Sequence, residues 1–146
     1  MINRKHILFL NQVDNESLSN DDFRVSCEPL IKKMPLDFDS KQWNKNIPWV
    51  LTSRTATKLI IKENLPKKIY AIGLKTAKNI PQAIHPKNAT AKEVAKLIIE
   101  NREKEVLFIC GEQKREELPQ LLKSANIKLT EAIVYRTEIL QKKLNL

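Results

Sequence analysis

Apolar residues gather along this chain in short, unbroken runs, separated by polar stretches that carry apolar positions at helical spacing. The clearest case is 106–119. Val106 to Cys110 form a run of strand length, Gly111 follows as a turn, and Leu118, Leu121, Leu122 and Ala125 then recur three and four residues apart. A run without polar alternation suits a strand covered on both faces, as in a parallel sheet. The same rhythm starts at Ile47. Trp49-Val50-Leu51 reads as a strand closed by Thr52-Ser53, and Ser53 is a good N-cap for a helix carrying Ala56, Leu59 and Ile60. Residues 69–72 read as the next strand, ended by Gly73, with a short helix over 76–79. The stretch 80–86 is irregular, with room for a short strand at Ala83-Ile84. Thr90-Ala91-Lys92-Glu93 has the form of a capping box, and Val94, Leu97 and Ile98 follow on one helix face. Pro119 falls in the first turns of the last helix, where its missing N–H costs little. Asn126 is the stop, and residues 131–135 read as a last strand.

The first third of the chain is less regular. Residues 6–10 read as a buried strand, and 11–22 are polar, with a turn or two of helix at most over 16–22. Residues 23–36 are extended, since Pro29 and Pro35 forbid a continuous helix. Residues 37–46 are loop-like, with Trp43 set to cover the edge of the core. From Ile47 onward strand and helix alternate, which predicts an α/β fold: a parallel sheet flanked by helices in three layers. Ligands meet such sheets at the carboxyl ends of the strands. The residues placed there are Ser53, Thr76, Lys114, Arg115 and Tyr135.

Composition and charge narrow the function classes. The 146 residues suit one ordinary domain, or one domain with a fragment of another. No apolar run approaches the roughly 20 residues that span a bilayer, and the basic start at Arg4-Lys5 precedes too few apolar residues for a signal peptide. A cytoplasmic protein is expected. Lysine and arginine outnumber aspartate and glutamate 26 to 17, for a net charge of +9. Such a field draws in anions: phosphates, polycarboxylates or nucleic acid. Aromatic residues are few, and no nucleic-acid-binding signature is present, so charge alone speaks for nucleic acid. Cys27 and Cys110 lack metal-type spacing, His6 and His85 stand alone, and neither dinucleotide nor P-loop glycine motifs occur. No cofactor or metal is expected.

At the strand ends the sequence resembles the uroporphyrinogen-III synthase family, the cosynthases of tetrapyrrole biosynthesis. Trp49-Val50-Leu51-Thr52-Ser53-Arg54-Thr55-Ala56 is similar to that family's strand followed by Thr-Ser-x-x-Ala. Residues 69–77, ending Gly73-Leu74-Lys75-Thr76-Ala77, resemble its hydrophobic-Gly-x-x-Thr-Ala segment. Thr90–Ala95 falls where the family has a capped helix. Gly111-Glu112-Gln113-Lys114-Arg115-Glu116-Glu117-Leu118-Pro119 resembles its Gly-x-x-x-Arg-x-x-Leu-Pro element, and Val134-Tyr135-Arg136-Thr137 its Val-Tyr-x-Thr ending. Each motif alone is weak, but five in the family's order are a strong signal over residues 49–137.

The resemblance implies a two-domain protein with its active site in the cleft between a discontinuous domain and an inserted one. On that pattern residues 1–36 are a remnant of the discontinuous domain, 37–140 the inserted α/β domain, and 141–146 a tail or the start of the missing return. It implies closure of the linear tetrapyrrole hydroxymethylbilane to uroporphyrinogen III, with inversion of the last ring and loss of water. It implies no cofactor and a functional link to hydroxymethylbilane synthase. Catalysis is then expected from Tyr135, assisting departure of the hydroxyl, and from Thr76, which either binds a carboxylate or caps a helix. Thr52, Ser53, Arg54, Gly73, Lys75, Ala77, Gly111, Lys114 and Arg115 are the expected substrate contacts. Ser53 is also explained by N-capping, and Lys114 and Arg115 by solvation. The rival readings are a non-catalytic module that binds anions or tetrapyrroles and, on charge alone, a nucleic-acid-binding domain.

Overall fold

The computed structural model describes residues 5–9, 23–27 and 31–140. The chain divides into two compact units, Met1–Met34 with Thr137–Leu146, and Pro35–Arg136. In the first, β1 (Lys5–Phe9) and β2 (Phe23–Cys27) pair in parallel, Lys5 against Phe23 through Phe9 against Cys27. The polar stretch 11–22 and the tail 141–146 lie outside the described residues.

The second unit holds the alternation read from the sequence. After β3 (Ile31–Pro35), which belongs to the first unit up to Met34, come β4 (Trp49–Leu51), α1 (Arg54–Ile60), β5 (Ile69–Ala71), α2 (Leu74–Ala77), β6 (Ala83–Ile84), α3 (Ala91–Glu100), β7 (Glu105–Gly111), α4 (Glu117–Ser124) and β8 (Lys128–Ile139), whose residues from Thr137 count again with the first unit. The six-stranded sheet runs β3-β8-β7-β4-β5-β6. The pairs β4–β5, β4–β7, β5–β6 and β7–β8 are all parallel. From β4 the chain moves outward through β5 and β6, then returns to place β7 on the other side of β4. The boundary between β4 and β7 is therefore the topological switch point, where the flanking connections part and leave a crevice.

Alternation along the strands sorts the core into two layers. Trp49, Leu51, Ile69, Leu107 and Ile109 face α1, with Ala56 and Ile60 packed on them. Val50, Tyr70, Val106, Phe108 and Cys110 face α3 and α4, which contribute Val94, Ile98, Leu118 and Leu122. The central strands β4 and β5 are buried at every position, which is why their sequences show no polar alternation. Trp43 covers the first layer as expected. It stacks on Phe38 with ring centroids 5.2 Å apart and meets Trp49 edge-on at 5.3 Å. Half of the capping box at Thr90 forms: its side chain accepts from the Glu93 N–H, while its own N–H donates to the Asn88 carbonyl rather than to the Glu93 side chain. Asn126 ends α4 in the left-handed conformation, φ 59°, which asparagine tolerates.

Three local expectations need correction. Gly111 is not a turn. It is the last residue of β7, and no glycine here has a positive φ. The short helix expected at 76–79 lies at 74–77, because Gly73 is extended and serves directly as its N-cap. The last strand runs from Lys128 to Ile139 rather than 131–135, since it pairs with β7 from Glu105 onward, charged residues included.

Candidate functional site

A cavity of about 470 Å³ lies at the carboxyl edge of the sheet, at the switch point. Its walls come from the ends of β4 (Thr52, Ser53) and β7 (Cys110, Gly111), the segment before α4 (Gln113, Lys114, Arg115) and its first residues (Glu117, Leu118), the start of α3 (Ala89, Thr90, Ala91) and Tyr135 of β8. All of these belong to the second unit.

Ser53 sits where β4 stops. Its extended backbone lets the side chain turn back on α1, so that Oγ accepts from the Ala56 N–H at 3.2 Å. The Tyr135 hydroxyl donates to the same oxygen at 3.0 Å, across 82 residues of sequence. With both acceptor positions of Ser53 Oγ filled, the serine's own proton is directed elsewhere. Tyr135 reaches this point through an irregularity in β8. Cys110 pairs with Ile133 but Gly111 pairs with Tyr135, so Val134 is an extra residue opposite β7. The Leu36 N–H donates to the Val134 carbonyl at 2.9 Å, and the Glu112 N–H to the Tyr135 carbonyl at 2.8 Å. A bulge reverses the facing of the residues after it. Val134 and Tyr135 are accordingly both buried against the same layer, although they are neighbours in sequence.

The charged residues divide sharply. Lys114 is only 15% exposed; its ammonium lies 3.0 Å from Glu131 and 3.6 Å from Glu116. Its pKa is raised, chiefly by the hydrogen bond to Glu131. Its charge is thus largely met within the protein. Arg115 is exposed and has no ion-pair partner among the described residues, so it is the cation available to an incoming carboxylate. Cys110 is 2% exposed, and burial, followed by the nearby Glu131 carboxylate, pushes its thiol up to about 12. A thiol so protonated is a poor nucleophile at neutral pH.

Of the residues expected from the sequence, the cavity brings together Thr52, Ser53, Gly111, Lys114, Arg115 and Tyr135. It does not bring in Arg54, Gly73, Lys75, Thr76 or Ala77. Arg54 and Lys75 point to solvent. Thr76 and Ala77 are turned inward by the single turn of α2, and Thr76 is 5% exposed. The buried Thr57 hydroxyl ties the two helices together, lying 3.1 Å from the Thr76 carbonyl and 3.2 Å from the Ser53 carbonyl. Gly73 acts at one remove, because a Cβ there would lie 2.5 Å from the Ala89 Cβ in the cavity wall. Sequence reasoning missed Ile72, Ala89, Thr90, Ala91, Phe108, Cys110, Glu117 and Leu118 as cavity walls. For Thr90 the capping box was itself the signal, since a helix beginning at that edge presents its cap to the crevice.

A second hollow, of about 490 Å³, lies at the opposite edge of the sheet and is lined by Lys45, Lys67, Lys68 and Glu103. There the Glu103 carboxylate already holds both the Lys68 ammonium and the Tyr70 hydroxyl, the latter at 2.8 Å. No helix among the described residues is long and apolar enough to cross a membrane.

Comparison with known proteins places this fold. The chain resembles the crystal structure of uroporphyrinogen-III synthetase from Helicobacter pylori, at 22% identity and a TM-score of 0.56, covering 98% of this chain and 65% of that one. It also resembles a mutant uroporphyrinogen III synthase from the extremely thermophilic bacterium Thermus thermophilus, at 12% identity and a TM-score of 0.61, covering 91% of this chain and 62% of that one. The chain therefore spans less than two thirds of the length of these solved proteins. A search of curated proteins found no match. The family model for uroporphyrinogen-III synthase HemD matches residues 13–145, nearly the whole sequence. This chain belongs to the uroporphyrinogen-III synthase family.

Proposed function

We propose that this chain carries out the family's reaction, cyclising hydroxymethylbilane to uroporphyrinogen III with inversion of the last ring and loss of water. The observation that carries the reading is the Tyr135–Ser53 hydroxyl pair, held in a cavity at the sheet's switch point. The reaction needs a weak acid beside the departing hydroxyl and a firm hold on a polyanionic chain. It needs no strong base. A coupled pair of hydroxyls supplies the first requirement. Ser53 Oγ is fixed by the Ala56 N–H, Tyr135 donates into it, and the remaining hydroxyl proton is presented to the leaving oxygen, which departs as water; the proton that the attacking pyrrole releases on ring closure restores the pair. Arg115 and the +9 field supply the second, attracting and orienting the substrate's carboxylates. Thr52 and Thr90 add hydroxyls at the rim.

On this reading residues 37–140 correspond to the family's inserted domain, 1–36 to part of the discontinuous one, and 141–146 to a tail or the start of its return. The substrate comes from hydroxymethylbilane synthase in the same compartment, the cytoplasm. The test is a coupled assay with hydroxymethylbilane synthase and porphobilinogen, separating uroporphyrin isomers after oxidation. Isomer III above the no-protein control is the expected result. Isomer I alone overturns the reading. If uroporphyrinogen is then still bound, the non-catalytic tetrapyrrole-binding module replaces it.

A further inference from the structure

We infer that Gly111 is a positioning residue for Tyr135, present because its missing side chain is the seat of the tyrosine ring. The inference deepens the proposed function and rests on it for its catalytic consequence.

Glycine is usually kept for a left-handed backbone or for close approach. The first reason is absent here, since no glycine in this chain has a positive φ. The second is present in measurable form. A Cβ built on Gly111 would lie 2.6 Å from both Cε2 and Cζ of Tyr135 and 3.0 Å from its hydroxyl oxygen. The three atoms in the way are two ring carbons at the hydroxyl end and the hydroxyl oxygen itself. These are the atoms that fix the bond to Ser53. The crowding also has a defined origin. Gly111 is the first β7 residue past the register shift, and it is paired with Tyr135. The bulge folds the ring back over its own partner strand, and only a residue without a Cβ leaves room beneath it.

The consequence for geometry follows from distances. To reach ordinary contact with an added methyl, the ring must retreat by about 0.8 Å, which is comparable to the span between a good hydrogen bond and none. The Tyr135–Ser53 distance is 3.0 Å, so little slack exists. The ring is the part that gives way, by turning about its side-chain torsions, because its neighbours are tied in place. Ser53 is held by the Ala56 N–H, and the Tyr135 backbone by the Glu112 N–H. An alanine at 111 therefore uncouples the hydroxyl pair while leaving the sheet hydrogen bonds in place.

The experiment is carbon NMR of the whole chain labelled at tyrosine Cζ, which gives one resonance each for Tyr70 and Tyr135, assigned with Tyr135→Phe. Gly111→Ala is expected to move the Tyr135 resonance in the same direction as Ser53→Ala does, while the Tyr70 resonance at the far edge stays. An unmoved Tyr135 resonance overturns the inference. If Gly111→Ala does not fold, Gly111→Ala with Tyr135→Leu decides the matter. Recovery of folding with the shorter side chain supports the clash, and equal failure overturns it. In the coupled assay Gly111→Ala is expected to lower kcat by about tenfold or more with KM little changed. In a Tyr135→Phe background the same change is expected to alter kcat by less than about twofold, as no hydroxyl remains to misplace. Loss of equal size in both backgrounds overturns the inference. If the wild-type chain makes no isomer III while Gly111→Ala still shifts the Tyr135 resonance, the reaction is refuted and Gly111 remains the seat of Tyr135.

Discussion

Each edge of the sheet holds one buried tyrosine, and the two are satisfied in opposite ways. Tyr70, with no exposed surface, donates to the Glu103 carboxylate, which also holds Lys68. Its pKa is raised, first by burial and then by that hydrogen bond. Lys68 and Glu103 answer each other, and the tyrosine proton is spent on the carboxylate. Tyr70 has none left to offer a ligand, although Lys45 and Lys67 line the same hollow. Tyr135 donates instead to a neutral hydroxyl, Ser53, whose own proton remains to be given. A closed ion network rigidifies, and a short hydroxyl relay opening on a cavity can do chemistry. The hollow beside Tyr70 is no smaller than the one beside Tyr135, so volume does not single out the proposed site. The character of the hydrogen-bond acceptor does.

That contrast can be broken by experiment. Tyr135→Phe should lower isomer III formation about 100-fold with little change in Tm. Ser53→Ala should lower it as much and also drop Tm by a few degrees, because it removes the N-cap of α1. Tyr70→Phe, by contrast, should leave the rate per folded molecule unchanged. Equal rate losses at both edges would erase the distinction. Glu103→Ala should cost about 2 kcal/mol in urea denaturation, because it strands a buried tyrosine hydroxyl and an ammonium together. If stability is unchanged, the Tyr70 network is not structural.

A smaller effect appears only in alkali. The Cys110 thiol is raised from an ordinary 9.0 to about 12 in the fold. A raised folded value means that the unfolded chain gives up this proton first. The stability it contributes is therefore whole below about pH 9 and is lost as pH climbs toward 12. Lys114, also raised, loses its ion pairs in the same direction. Cys110→Ala should flatten the fall in Tm above about pH 9, and native Cys110 should resist a thiol reagent at about pH 8. Least affected should be Lys128→Ala. Its side chain is 74% exposed beside Glu105, and the loss should stay under about 1 kcal/mol.

The layers of the fold were legible in the sequence because burial on both faces writes itself as unbroken apolar runs, as at Trp49-Val50-Leu51 and 106–110. Caps were legible because they need a particular side chain at a particular spacing, as at Ser53 and Thr90. The extra residue at Val134 was not. A bulge changes pairing without changing residue type, and Val-Tyr reads the same with or without it. For the same reason the meaning of Gly111 was missed. Glycine advertises backbone freedom in a sequence, while here it supplies vacant space opposite Tyr135, a partner far along the chain. Thr76 lies outside the cavity for a related cause. Its position after a glycine was plain, but the point at which α2 begins decides whether it faces the crevice or the core, and that shift is less than a turn.

The aromatic stack on the α1 layer has an optical consequence. Trp43 and Trp49 are the only tryptophans in the chain, and their rings are 5.3 Å apart. Excitation will pass between them faster than either emits, so the intrinsic fluorescence is one signal from one place. That place is the α1 side of the sheet. A thermal melt followed by emission thus watches the α1 layer come apart, while far-ultraviolet circular dichroism weighs all the helices and strands together. Coincident midpoints would mean that both layers of the unit melt as one cooperative body. An emission transition running ahead of the dichroism would locate the first breach on the tryptophan side.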